Sequence, residues 1–134
     1  MNHEGHEEHE VRPSWKSCQD VIGCAIRVHS ELGPGLLEST YTACLAHELC
    51  LAGIPFEREK SVPIRYRGIL LDCGFRIDLL AANEVIVEIK SVEALLPVHE
   101  AQLLTYMKLS ELRVALLMNF NVRSLRNGIR RLVL

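Results

Sequence analysis

Three charged residues of the chain lie where they could do chemistry together. The segment VIVEIK (85–90) has the β-branched, apolar composition of a buried strand, yet it contains Glu88 and Lys90. Residues two apart in a strand point to the same face, so these two side chains should lie side by side. Asp78 lies in the apolar segment GFRIDLL, and nine residues separate it from Glu88. That separation allows a tight turn and an adjacent antiparallel strand, which would bring all three charges together.

Two carboxylates beside a lysine form a hard-oxygen site for Mg²⁺ with a cation next to it. Such a site can polarise a phosphoryl oxygen and lower the pKa of a bound water. The alternative is a cross-strand salt bridge at a sheet end, which usually contributes little to stability. The residue pattern by itself is compatible with both interpretations.

Two helical segments carry further polar candidates. His99, Gln102 and Tyr106 have the spacing i, i+3, i+7 in PVHEAQLLTYMK, which places them on one helical face. That stripe either reaches a substrate and orders the site, or simply faces solvent. In GPGLLESTY, Glu38 lies in the first turn of a helix, where the helix dipole alone favours an acid, and Tyr41 shares its face.

Hydrophobic periodicity predicts the elements that position these residues. A helix should begin at Ser14 and run to about Leu32, where GPG ends it, and a second should span about 37–52. Strands are expected at 56–68 and 69–81, joined near Arg67 and Gly68, and at 85–90. A helix over 97–110, a buried strand over 111–120 and a short final strand follow. This order predicts a layered α/β (α+β) fold, with a central mixed sheet flanked by helices.

The 134 residues suit one domain, which we assign to residues 12–134. Residues 1–11 lack apolar periodicity and are expected to form a disordered acidic tail. His3, His6 and His9 of this tail either hold a transition metal loosely or are simply part of a polar tail. No apolar run approaches the roughly 20 residues of a membrane span, and the start of the chain does not resemble a secretory signal. We therefore expect a cytoplasmic protein with no membrane partner.

Cysteine number and charge narrow the possible functions. The five cysteines are odd in number and form no CxxC pair, which argues against a disulfide framework and a zinc ribbon. A net charge of −2 excludes a generic polyanion binder, but residues 112–134 contain five Arg and no acid. This positive end either lies along a phosphate backbone or is an ordinary solvated face.

Taken together, these motifs resemble a known family. GLLESTY matches the Gly-x-x-Glu-x-x-Tyr motif that names the bacterial GxxExxY protein family. Asp78, followed after nine residues by Glu88-Ile89-Lys90, resembles the Asp…Glu-x-Lys signature of the PD-(D/E)XK nuclease superfamily, to which that family is assigned. HEAQLLTYMKL is similar to the helix with Gln and Tyr in that family, and LLMNFNV is similar to the strand that follows this helix. The resemblance covers about residues 15–134 and departs at Ile77, where the nominal signature has Pro.

The resemblance implies a restriction-endonuclease-like core with a metal site. Glu38, Asp78 and Glu88 would ligate Mg²⁺ or Mn²⁺, together with the backbone carbonyl of Ile89. Lys90 would orient or help deprotonate the attacking water and stabilise developing negative charge.

The same resemblance implies that Gln102 acts at the catalytic site and that Tyr106 supports the site or contacts nucleic acid. Tyr41 and His99 are further candidates for a supporting or substrate-binding role. The function implied is a metal-dependent nuclease that hydrolyses phosphodiester bonds in DNA or RNA.

Two other functions remain open at the level of sequence. The first is a non-catalytic module that binds nucleic acid or protein on a nuclease-like fold, for which the Arg-rich end would be suited. The second is a metal-binding accessory protein that uses the His-containing tail. A homodimer paired through the final strand, GIRRLVL, is also expected, because a small domain this rich in apolar residues should have surplus apolar surface.

Overall fold

The computed structural model describes the backbone of residues 2–134 and the side chains of residues 15–134. The helices of this part are α1 (Asn2–Leu32), α2 (Glu38–Leu51), α3 (Pro97–Ser110) and a short 3-10 helix (Leu125–Gly128). The strands are β1 (Phe56–Ser61), β2 (Ile64–Tyr66), β3 (Ile69–Leu71), β4 (Arg76–Ala81), β5 (Val85–Lys90), β6 (Val114–Asn119) and β7 (Ile129–Val133). The predicted order of helices and strands is confirmed.

The central sheet has five strands in the order β1-β4-β5-β6-β7. β5 and β6 are parallel, with α3 as the crossover between them, and every other neighbouring pair is antiparallel. Buried residues of α1 and α2 pack on one face of the sheet, and those of α3 pack on the other. The architecture is therefore the predicted α+β fold, a mixed sheet flanked by helices.

The two long strands expected over 56–68 and 69–81 are wrong, because each divides into two. Pro63 follows β1, and its missing N–H cannot continue a ladder. Between β3 and β4 the Asp72 side chain accepts a hydrogen bond from the Gly74 N–H and forms a turn. The predicted turn at Arg67–Gly68 is confirmed: both residues have positive φ, and they join β2 to β3 as a separate hairpin.

β5 is the strand that places the central carboxylate. Its side chains alternate between the two layers, with Val87 and Ile89 in the core under α1 and α2 and Ile86 in the core under α3. By the same alternation Glu88 and Lys90 lie on the α3 face, side by side as predicted.

α1 ends at Leu32 as predicted but begins at Asn2, upstream of the expected start at Ser14. The separate tail predicted for residues 1–11, with its three histidines, lies outside the described side chains and stays a prediction. Within the described part of the chain, no helix combines the length and apolarity needed to cross a membrane.

β7 forms one outer edge of the sheet, and among the described strands it pairs only with β6. Dimerisation itself stays a prediction. All five cysteines are free, and Cys18 and Cys24 are buried in the α1 layer as small apolar residues, whereas Cys50 and Cys73 are exposed.

Candidate active site

Asp78 and Glu88 lie opposite each other on β4 and β5, where the backbone ladder ends. The regular pairs run from Ala81–Val85 to Leu79–Val87, and the carboxylates occupy the next position in that register. The backbone N–H of Asp78 donates to Glu88 Oε1 at 3.1 Å. The N–H of Ile89 donates to Asp78 Oδ2 at 2.8 Å. At this position the backbone N–H groups donate to side-chain carboxylates instead of to the backbone carbonyls of the opposite strand. Each carboxylate is thereby held between β4 and β5.

The strands lose their regular alternation at this level. The sequence predicts that Ile77 and Leu79 point to one face, but Ile77 packs under α3 and Leu79 packs under α1 and α2. On β1, Glu59 falls between the residues paired with Ile77 and Leu79, and its φ of 51° is left-handed. The irregular backbone gives the physical reason for the wrong prediction, and it lies beside Asp78.

Burial dominates the electrostatics of the pair. Glu88 is only 8% exposed, and burial, followed by the neighbouring Asp78 carboxylate, raises the pKa of Glu88 to about 7. The pKa of Asp78 is also raised by burial, against the opposing effects of the Ile89 N–H and the Lys90 ammonium. The site therefore holds more negative charge than its surroundings compensate, which is the condition that a bound cation relieves.

Lys90 contributes positive charge without closing an ion pair. Its side chain is half-buried, and no carboxylate of the described residues lies within 4.0 Å of its ammonium nitrogen. It nevertheless lowers the pKa of both Asp78 and Glu88 through space. The cross-strand salt bridge considered as the alternative is thus not formed, and the ammonium keeps its donors for other groups.

Glu38, the first residue of α2, reaches the segment that follows β5. Its Oε2 accepts a hydrogen bond from the N–H of Ser91, the residue after β5, at 3.3 Å. The Ser91 hydroxyl donates to the carbonyl of Leu36 at 2.6 Å, so two bonds join the loop before α2 to the end of β5. Glu38 also raises the pKa of Asp78 and Glu88, which places its charge near the pair.

Tyr41 supports this loop from below and is fully buried. Its hydroxyl donates to the carbonyl of Gly33 at 2.5 Å and accepts from the N–H of Leu36 at 3.2 Å. Its ring stacks on Phe120 with the centroids 4.5 Å apart. Of the two roles predicted for Tyr41, the geometry supports positioning, because a buried ring cannot touch a substrate.

The three polar residues of α3 do not form one uniform surface. His99 Nδ1 accepts from the Leu96 N–H at 3.0 Å and so caps the start of the helix. Gln102 is exposed, whereas Tyr106 is 6% exposed and packs its ring 5.9 Å from that of Phe75. Burial raises the pKa of Tyr106, and the charges of Glu88 and Asp78 raise it further.

Asn119 is a site residue that the sequence analysis missed. It is buried at the end of β6, where its Oδ1 accepts from the N–H of Val92 and of Asn121. Its Nδ2 donates to the carbonyl of Val92 at 2.9 Å. These bonds hold the segment after β5 against β6, next to Lys90. The available signal was a polar amide in the apolar run VALLMNF.

The donor atoms suit a hard divalent cation. Among the described residues, no three His, Cys, Asp or Glu side chains are assembled as a metal-binding group, so Glu38 has not joined the carboxylate pair. Mg²⁺ commonly takes only one or two protein carboxylates and completes its shell with water and substrate phosphate. The pair Asp78 and Glu88 meets that requirement. The role predicted for the carbonyl of Ile89 stays a prediction.

Comparison with known proteins identifies one family. The family model of the PD-(D/E)XK nuclease superfamily matches residues 16–132, a range that includes every residue of this site. No curated protein and no solved structure matches the chain. The narrower assignment to the GxxExxY family stays a prediction.

Proposed function

The chain belongs to the PD-(D/E)XK nuclease superfamily, and on that premise we propose that it hydrolyses nucleic-acid phosphodiester bonds with Mg²⁺ or Mn²⁺. The observation that carries the proposal is the pair of the partly buried Asp78 and the buried Glu88, with the uncommitted ammonium of Lys90 on the same face as Glu88. Oxygen donors and a cation are thereby presented together near the C-terminal end of β5, where a phosphate would bind.

Asp78 and Glu88 would hold the cation, with Glu38 and the carbonyl of Ile89 as further ligands. When bound, the cation supplies Lewis-acid polarisation of the phosphoryl oxygen and a lowered pKa for bound water. Because backbone N–H groups already orient both carboxylates, their free oxygen lone pairs are directed without further ordering.

Lys90 would donate hydrogen bonds to the attacking water and to the phosphoryl oxygen on which charge develops. An ammonium group held at a fixed backbone position is suited to this, and the Lys90 carbonyl accepts from the N–H of Phe120 at 2.9 Å. Asn119 fixes the adjacent segment, so the end of β5 cannot drift away from β6.

The other predicted residues would act around this centre. Tyr106, whose pKa is affected by the charges of the carboxylates, would support them, whereas Gln102, which is exposed, would contact nucleic acid. Tyr41 and His99 would act as positioning residues, Tyr41 for the loop before Glu38 and His99 for the start of α3.

The second candidate is a module on the same fold that binds nucleic acid without cleaving it. It is favoured by the absence, in the described side chains, of a preassembled group of three metal-binding residues. The intact set of Asp78, Glu88 and Lys90 favours catalysis, because binding alone does not require all three.

The decisive experiment incubates purified protein with single- and double-stranded DNA and RNA in Mg²⁺, Mn²⁺ or EDTA. We expect cleavage with a divalent cation, none in EDTA and none from the Asp78→Asn variant. Glu57→Gln, which removes an exposed carboxylate from β1, is the matched control and should cleave like the parent. Binding without cleavage under every condition would support the second candidate and contradict the nuclease.

A further inference from the structure

The five arginines of the C-terminal region divide into two groups. Arg130 is paired with Glu100 of α3, and the guanidinium of Arg131 lies over the Trp15 ring, 3.5 Å from its centroid. The other three are exposed and form no ion pair with any described residue: Arg113, Arg123 and Arg126. Two of these three lie together beyond the end of β6.

Arg123 and Arg126 line a cavity of about 390 Å³ between the end of α1 and the segment that follows β6. Ser30, Gly33 and Ser124 are also in its wall. Besides apolar residues, the lining contains two arginines and two serines but no Asp or Glu, so the charged side chains in the cavity wall are positive and suited to an anion.

The segment that carries the two arginines is firmly fixed. His29 Nε2 lies 3.1 Å from the carbonyl of Phe120 and 2.8 Å from that of Val122, and because both are acceptors this nitrogen carries the proton. A Cβ added to Gly128 would approach the Asn119 carbonyl oxygen to 2.3 Å, so the chain returns to the end of β6 in direct contact. The guanidinium groups therefore project from an ordered base, which lowers the entropy cost of binding.

The cavity and the carboxylate site both lie near the C-terminal ends of the parallel strands β5 and β6. Phe120, to which His29 is bonded, donates its N–H to the carbonyl of Lys90. Gly33, in the cavity wall, belongs to the loop that continues to Glu38 and is held by the hydroxyl of Tyr41. Hydrogen bonds thus connect the cavity wall to the end of β5 and to the loop before Glu38.

We propose that this cavity is a subsite for a backbone phosphate of the nucleic-acid strand that is bound at Asp78 and Glu88. The proposal rests on the proposed function for the identity of the polymer. Arg123 and Arg126 bind the phosphate oxygens through their planar guanidinium groups, and Ser30 and Ser124 supply hydroxyl donors. The contact is independent of base sequence and fixes the register of the strand.

The test measures the salt dependence of binding in the Lys90→Ala background and in EDTA, where no cleavage is expected. Fluorescent single-stranded and duplex oligonucleotides are titrated with the protein across a range of NaCl concentrations. Combined Arg123→Ala and Arg126→Ala substitution removes the contact to one phosphate, so it should weaken binding and reduce the magnitude of the log–log salt slope by about 0.9 for duplex DNA or about 0.7 for a single strand. The pair Arg123→Lys and Arg126→Lys should keep the slope while losing affinity, because charge is retained without the fork.

Arg113→Ala is the matched control, since Arg113 is exposed just before β6, at the opposite end of the same strand. An equal change of slope in this control, or an unchanged slope in the double alanine variant, would overturn the subsite. Saturable binding of inorganic phosphate alone, lost in the double alanine variant, would assign the cavity to a free anion instead and overturn the proposal as well.

Failure of the subsite and failure of the proposed function give different results. If the parent protein cleaves nucleic acid but the double alanine variant has the same salt slope as the parent, only the subsite proposal is contradicted. If the protein never cleaves nucleic acid but the double alanine variant shows the expected change of salt slope, the subsite is supported and the proposed nuclease activity is contradicted. Absence of all nucleic-acid binding contradicts both.

Discussion

Asp78 and Glu88 each accept a backbone hydrogen bond from the other's strand: the N–H of Asp78 donates to the Glu88 carboxylate, and the N–H of Ile89 donates to the Asp78 carboxylate. This reciprocal arrangement makes each carboxylate both a backbone acceptor and a candidate metal ligand. A substitution at either position can therefore affect stability through the hydrogen bond and chemistry through the charge, and the two effects can be separated.

Asp78→Asn and Asp78→Ala separate them. The amide oxygen of Asn can still accept from the Ile89 N–H, so Asp78→Asn should remain folded while it loses Mg²⁺ binding and cleavage. Asp78→Ala should lose these and about 1–3 kcal/mol of unfolding free energy more than Asp78→Asn, because the Ile89 N–H loses its partner in a partly buried site. Calorimetric titration with Mg²⁺ and urea unfolding measure the two quantities. Mg²⁺ binding retained in Asp78→Asn would remove Asp78 from the ligand set.

Lys90 should behave differently from the carboxylates. Lys90→Ala should retain Mg²⁺ binding, while cleavage falls by about a hundredfold or more, as expected for loss of one preorganised charge at a transition state. Lys90→Arg should recover only part of the rate, because the broad guanidinium fork does not replace a compact ammonium beside a water. Single-turnover cleavage assays at saturating Mg²⁺ check both variants, and an unchanged rate in Lys90→Ala would exclude its catalytic role.

The metal-free protein should become less stable as pH rises. The folded-state pKa of Glu88, about 7, lies above its ordinary value of 4.5, so the folded protein holds this proton more tightly than the unfolded chain does. The resulting stability is fully present below about pH 4.5 and is lost as pH rises to about 7, by an amount on the order of a few kcal/mol.

Glu88→Gln removes that titration while keeping an acceptor for the Asp78 N–H. In EDTA, Glu88→Gln should therefore be more stable than the parent at pH 8 and similar to it at pH 4.5, as measured by urea unfolding. Glu57→Gln, an exposed carboxylate, should show no such difference between the two pH values. Equal effects of Glu88→Gln at both pH values would contradict a raised pKa at this position.

Tyr41→Phe tests whether the loop before α2 must be held for Glu38 to act. The substitution removes the hydroxyl bonded to Gly33 and Leu36 and leaves the ring on Phe120. We expect a loss of about 1–2 kcal/mol in unfolding free energy and a weaker affinity for Mg²⁺. Tyr66→Phe, which removes an exposed hydroxyl from β2, is the control and should change neither quantity. Unaltered Mg²⁺ affinity in Tyr41→Phe would separate the loop from metal binding.

Sequence periodicity was sufficient for the order of the elements and for the approach of Asp78 to Glu88. Both depend on local rules: apolar spacing within a segment, and a short connection between adjacent antiparallel strands. The same rules failed at Ile77, where strict alternation assumed a regular ladder. At this point the backbone is irregular, because Glu59 on β1, between the partners of Ile77 and Leu79, has a left-handed φ, and regular alternation is lost beside Asp78.

Contacts between distant segments were beyond such rules. Asn119 is bonded to Val92, which is 27 residues away, and nothing in the spacing of either segment indicates the pair. The positioning role of Tyr41 likewise depends on Phe120 of another element. Charge counting predicted a positive end, but only the fold shows that Arg130 is paired with Glu100, while Arg123 and Arg126 form no ion pair with any described residue.

Gly128→Ala tests whether the return of the chain to β6 holds the segment that carries Arg123. The added Cβ would lie 2.3 Å from the backbone oxygen of Asn119, which cannot move without disturbing the end of β6. We expect a loss of about 1–3 kcal/mol in unfolding free energy, the usual cost of overpacking. Gly23→Ala is the control, because its Cβ would meet no atom within 4 Å and α1 gains a better helix former. Thermal unfolding of the two variants checks this, and equal stability of Gly128→Ala and the parent would show that the contact gives way at no cost.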